Sequence, residues 1–118
     1  MSTTSTVIEH IVLLKVKYDT SDEDIKKLVE GAQSLKVIPG VISVTVGATF
    51  AEEWMPDRRH GHTHTLSCRL ESKEALRVYQ DHPLHVKVKK ECLLPVLAEP
   101  PMAVDYESSV VLGDSTGK

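Results

Sequence analysis

The chain is poor in the residues on which several common chemistries depend. Two cysteines, Cys68 and Cys92, do not make a disulfide framework, and in a reducing compartment they read as small packing residues. Positive charge is not in excess: 14 Lys and Arg against 17 Asp and Glu leave a net charge of −3, and the pI is near 6.0. The basic clusters Arg58-Arg59 and Lys87-Val88-Lys89-Lys90 are short. Nucleic acid and anionic membranes are therefore not expected partners. No apolar run approaches the length of a membrane span, and residues 1–6 lack the charged and apolar regions of a secretory signal. The expected location is the cytoplasm, with the nucleus also open. A chain of 118 residues is long enough for one core, so a single domain over 7–107 is expected, with flexible termini at 1–6 and 108–118.

What is present alternates between strand and helix signals. Val7 to Lys17 is rich in β-branched residues, with Val12, Leu14 and Val16 on the same side as His10, and reads as a first strand. Thr20-Ser21-Asp22 offers an N-cap, acids follow, and Ile25, Leu28, Val29, Ala32 and Leu35 recur at helical spacing, giving a helix over about 22–36. Pro39-Gly40 is a turn before a second strand, Val41–Gly47. The stretch 51–61 has no period and reads as an exposed loop. His62–Leu70 alternates as a third strand, Ser72 caps a helix over 73–81, and Pro83 starts a helical run to about Val96 with Pro95 marking an end or a kink. Met102–Tyr106 is a short last strand. The order β-α-β-β-α-β is that of an α+β, ferredoxin-like split βαβ plan. Val12, Leu14 and Val16 are expected on the sheet face away from the helices, where two copies packing sheet to sheet form a dimeric α+β barrel and hide the apolar surface.

The segment Tyr79-Gln-Asp-His-Pro-Leu-His85 carries the chemistry. A phenol that can donate to a carbonyl lies within seven residues of two imidazoles that titrate near neutrality, which is what proton transfer on a carbonyl compound requires. The same residues have plainer uses: Tyr79 as a core ring, His85 as a cap or surface residue, His82 as part of the turn, His10 and His64 as satisfied interior histidines. Asp105 in a short strand needs a partner, because an isolated buried carboxylate costs several kcal/mol. His60, His62 and His64 suggest a metal only weakly, since His60 precedes the strand and no Cys or carboxylate stands at zinc-like spacing; no metal site is assigned.

Taken together, Glu9-His10-Ile-Val-Leu-Leu-Lys-Val-Lys17, Ile38-Pro39, Gly61-His-Thr-His64, Leu70-Glu-Ser-Lys-Glu-Ala75, Tyr79–Val86 and Val104-Asp-Tyr106 resemble the stress-responsive dimeric A/B barrel family. Within it they resemble the plant polyketide cyclases of the olivetolic acid type. The resemblance implies catalytic roles for Tyr79 and His85, an Asp105 that orients the catalytic histidine, and pocket positions for His10 and His64. Val12 and Leu14 complete the expected substrate wall. It further implies a homodimer, no metal, nucleotide or flavin cofactor, and a small hydrophobic or polyketide-like ligand. His85 would remove the proton between two carbonyls, and Tyr79 would bond the oxygen that gains charge. The chain departs from the cyclases where aromatic pocket walls fall on Lys27 and Gly31 and where the strand-two Trp-Gly pair reads Val46-Gly47.

Two readings follow. One is a cofactor-independent enzyme catalysing an intramolecular aldol cyclisation; the other is a non-catalytic stress-associated barrel that binds a small hydrophobic molecule. A cofactor-free monooxygenase of related topology fits less well, because the single tryptophan, Trp54, lies in the loop.

Overall fold

A computed structural model describes residues 6–114. Four strands, β1 (Thr6–Leu14), β2 (Val41–Ala48), β3 (His64–Leu70) and β4 (Met102–Ser109), form one antiparallel sheet in the order β2-β3-β1-β4. The helices are α1 (Asp22–Ser34), α2 (Lys73–Asp81) and α3 (Pro83–Val88). This is the ferredoxin-like α+β fold expected from the sequence.

Each element follows from local chemistry. Ser21 Oγ accepts from the Asp24 amide at 3.1 Å, and Asp22, Glu23 and Asp24 complement the first turn of α1, whose buried stripe is Leu28 and Ala32. The helix tightens into a 3-10 turn at Leu35–Val37 and gives way to Pro39-Gly40. Gly40 has φ +89°, and a Cβ there would lie 2.6 Å from the Cβ of Ala75, so the turn packs directly beneath α2. Ser72 Oγ caps α2 through the Ala75 amide at 3.0 Å. His82 caps α3, its Nδ1 accepting from Leu84 N at 3.1 Å, with Pro83 in the first turn. The helical run after Pro83 is not uniform: Lys89–Leu93 is a π-helical turn and Leu94–Val96, containing Pro95, is 3-10. The loop between β2 and β3 is anchored by Thr49 N to Thr63 O at 2.9 Å and Thr63 N to Leu14 O at 2.8 Å. Within it Arg59 donates to Asp57 and holds that carboxyl well below the usual carboxylate range.

Directly opposed residues of an antiparallel pair share a face, and the register therefore sorts the sheet. Ile8, His10, Val12 and Leu14 oppose Leu70, Cys68, Leu66 and His64 and pack under the helices. The opposite parity, Ile11 and Leu13 with Val104 and Met102, looks away from them. Val12, Leu14 and Val16 are thus core residues of one chain, not the outward face expected of them. Both parities of β1 are apolar, so alternation did not identify which one the helices cover. The uncovered face carries Ile11, Leu13, Met102, Val104 and Tyr106, the last three about half exposed. Glu9 is buried among them in an ion pair with Arg69 at 2.9 Å.

The sheet has the four strands expected, with different ends: β1 starts at Thr6, which opposes Ser109, so Thr6, Ser108 and Ser109 belong to the sheet, and β1 stops at Leu14, short of the expected Lys17. The expected flexibility of 1–5 and 115–118 lies outside the described residues. The third strand begins at His64, because His62 is held in the loop turn by Arg59 O. No helix among the described residues is long and apolar enough to cross a membrane.

Candidate active site

A cavity of about 340 Å³ opens between the sheet and the α2–α3 layer, lined by His10, Val12, Leu66, Gln80, His85, Lys89, Leu93, Pro101 and Ala103. Strand β1 supplies His10 and Val12, β3 supplies Leu66, and the Pro83 helix start turns His85 back over the end of α2. Two imidazoles, Gln80 and Lys89 are the polar groups on an otherwise largely apolar wall.

His10 is nearly buried and its Nδ1 donates to the Asp105 carboxylate directly across from it in the β1–β4 register. With Nδ1 engaged, Nε2 is the nitrogen left for a ligand. Contrary to expectation, Asp105 does not orient His85; the strand register fixes it to His10. His85 has a different partner. Its Nδ1 lies 3.1 Å from the Gln80 carbonyl oxygen, and since a carbonyl only accepts, Nδ1 carries the proton and Nε2 carries the lone pair. Burial lowers the His85 pKa, and the charges of His10, Lys89 and His82 act in the same direction, against the Gln80 carbonyl. His85 is thus a neutral imidazole with its basic nitrogen free.

Tyr79 joins the two rings. Its ring centroid is 4.7 Å from that of His85 and 5.7 Å, edge-on, from that of His10. Its hydroxyl, expected to donate to a substrate, is instead buried beside the Cys68 thiol, off the cavity lining and without a hydrogen-bond partner among the described residues. Burial pushes the phenol pKa up and the Cys68 thiol up to about 11. The side chain reaches down from α2 into the core, so the ring backs the two imidazoles and neither it nor the hydroxyl lines the cavity. Replacing Tyr79 by Phe should accordingly leave His85 in place and move stability by no more than about 1 kcal/mol, because the hydroxyl removed has only the weakly bonding Cys68 thiol beside it; a fall in thermal midpoint with loss of ligand binding would return the hydroxyl to the site.

Two other expected wall residues also lie elsewhere. Leu14 is fully buried in the core. His64 opposes it at the end of β3, with Nδ1 2.8 Å from Thr63 Oγ1, and does not line the cavity. Both share the face of His10, but the cavity spans only the stretch of sheet around Val12 and Leu66. Lys27 and Gly31 do not line it either. A Cβ on Gly31 would meet Cys92 Sγ at 2.8 Å, so the cysteine occupies the space a bulkier wall residue would need. The sequence reading missed Leu66, Gln80, Lys89, Leu93, Pro101 and Ala103. For Lys89 a signal existed, since it follows His85 by one helical turn and shares its face.

Known proteins resemble this chain over most of its length. Two stress-response A/B barrel domain-containing proteins of Arabidopsis thaliana are each 34% identical to it, over 92% and 86% of the chain. The matched regions make up only 40% and 47% of those two proteins, so this chain spans less than half of their length. Among solved structures, At3g17210 from Arabidopsis thaliana superposes with a TM-score of 0.75 at 28% identity, covering 89% of this chain and 98% of that one. A hydroxynitrile lyase from Passiflora edulis shares the fold, with a TM-score of 0.77 at 18% identity over 91% of this chain and 97% of its own. Residues 8–108 match the stress responsive A/B barrel domain, and the chain belongs to that family.

Proposed function

We propose that this chain is a cofactor-independent enzyme of polyketide-cyclase type, moving protons on a small β-keto or polyketide substrate in an intramolecular aldol step. The observation that carries this reading is the pairing of two differently held imidazoles on one cavity. His85, neutral and with Nε2 free, removes the proton between two carbonyls. His10, entering the step as an imidazolium paired with Asp105, donates from Nε2 to the oxygen that gains negative charge, and Asp105 carries its countercharge. His10 thus takes the donor role expected of Tyr79. The enolate carbon then attacks a distal ketone of the same molecule, and the alkoxide formed when that C=O π bond opens takes back the proton His85 removed. No step in this sequence calls for a metal or a redox group.

The alternative is a barrel that binds a small hydrophobic molecule without turning it over. The observation favouring it is that Tyr79 stands behind the cavity wall, its ring against His10 and His85 and its hydroxyl out of a ligand's reach. A screen of β-polyketide acids and their thioesters separates the two: the enzyme reading expects cyclised product at a rate above the buffer control, and ligand-dependent stabilisation without product supports the passive barrel.

A homodimer belongs to the same proposal. Apolar Ile11, Leu13, Val104 and Tyr106 on the uncovered sheet face are the surface a second copy would bury. The expected solution mass is twice the 13.1 kDa of the chain, and Val104→Asp should shift it toward the monomer. A 13.1 kDa species from the unmodified chain at micromolar concentration would reject the dimer.

A further inference from the structure

We propose that Lys89 makes the His10–His85 cavity selective for keto acids, substrates whose carboxylate is held at the cavity mouth while the keto group meets the imidazoles. This rests on the reading of the cavity as a substrate site and adds the class of substrate.

Lys89 lines the cavity with His10 and His85, and as an exposed residue it stands at the mouth, not on the floor. It opens the π-helical turn Lys89–Leu93, whose far end, Leu93, lines the same cavity. Among the described residues its ammonium has no acidic partner. The lysine and arginine ion pairs there join Lys15 to Glu99, Arg59 to Asp57, Arg69 to Glu9 and Lys73 to Glu107. The acid nearest the imidazoles, Asp105, is already engaged by His10 and is not part of the lining. One positive charge is therefore left without a counter-ion over a floor of Val12, Leu66 and Leu93. An apolar chain ended by an anion complements that arrangement, and the Lys89 charge is felt at His85, where it favours the neutral base. A cavity of about 340 Å³ is at the small end of ligand sites, which span about 300–1,000 Å³, and suits a short-chain acid.

The test uses 4-oxooctanoate, a keto acid that does not decarboxylate, against its uncharged methyl ester. Binding is followed by NMR at the His10 and His85 imidazoles of the full chain, for the wild type, Lys89→Met and Lys89→Arg. The acid should bind about fivefold more tightly than the ester to the wild type, as expected for one partly exposed charge pair. Lys89→Met should erase that preference by weakening the acid alone, and Lys89→Arg should keep it. Equal affinity of acid and ester for the wild type, or a preference that survives Lys89→Met, overturns the role of Lys89 while leaving the cavity intact as a site. Absence of any imidazole shift with either ligand overturns the cavity reading itself, and the proposal with it.

Discussion

His85→Ala should lower the rate of cyclisation by about a hundredfold to ten-thousandfold, the usual worth of a positioned general base. His10→Ala should produce a loss of similar order, because it removes the donor to the developing oxyanion. Asp105→Asn should cost less, since the amide oxygen still accepts from Nδ1 but brings no countercharge. The pH dependence follows from the direction of the His85 shift. Its pKa lies below the ordinary 6.5, so the base is already free at neutral pH, and the acid limb of kcat/KM, which reports that base, should fall only as the solution is acidified below that value. Each variant must first be shown to fold, by solution mass and circular dichroism. A folded His85→Ala protein that turns substrate over at the wild-type rate would leave His85 as a wall residue only, and the passive-barrel reading would stand in place of the enzyme.

Gly40→Val should be the most destabilising single change outside the core. The position holds φ +89°, where a β-branched residue is an outlier costing about 1–2 kcal/mol. The new Cβ would also come within 2.6 Å of the Ala75 Cβ, and crowding of this kind costs about 1–3 kcal/mol. The two together, about 2–5 kcal/mol, are a large part of the roughly 5–15 kcal/mol of a typical domain. The contributions separate experimentally. Gly40→Ala should be less damaging in an Ala75→Gly background than in the wild type, because that background removes the contact and leaves only the backbone strain. Equal losses in the two backgrounds, measured by urea unfolding, would show that the helix moves aside and that contact contributes nothing.

Most of the architecture could be read from short-range signals. Ser21 and Ser72 announce the helices they cap, Pro83 with His82 announces the third, and Pro39-Gly40 marks the turn that α2 covers. What could not be read is long-range. Which parity of β1 faces the helices depends on packing, because Val7, Ile11 and Leu13 are as apolar as Ile8, Val12 and Leu14. The partner of Asp105 depends on the β1–β4 register, in which His10 and Asp105 are direct neighbours although 95 residues apart. The direction of the Tyr79 hydroxyl depends on the depth of the core beneath α2. Hence Tyr79, His85, His10 and Asp105 lie together as the sequence suggested, while the pairings among them, and which of them reach the cavity wall, could not be read. Leu14 and His64 show the limit of face alternation: it assigns a side of the sheet but not a place along it.

The placement of Asp105 on β4 has a consequence for the order in which the molecule comes apart. β4 is an edge strand with one neighbour, and nearly all its residues are exposed, whereas β1, which carries His10, lies between two strands and is largely buried. Fraying of such an edge is a local opening that needs far less free energy than global unfolding. On warming, β4 amides should exchange with solvent before those of β1 and β3, and each such opening releases His10 from its carboxylate while the helices and the central strands stay in place. Chemical competence would then melt out ahead of the fold, and a second chain laid over the sheet would raise the temperature of the first transition more than that of the second.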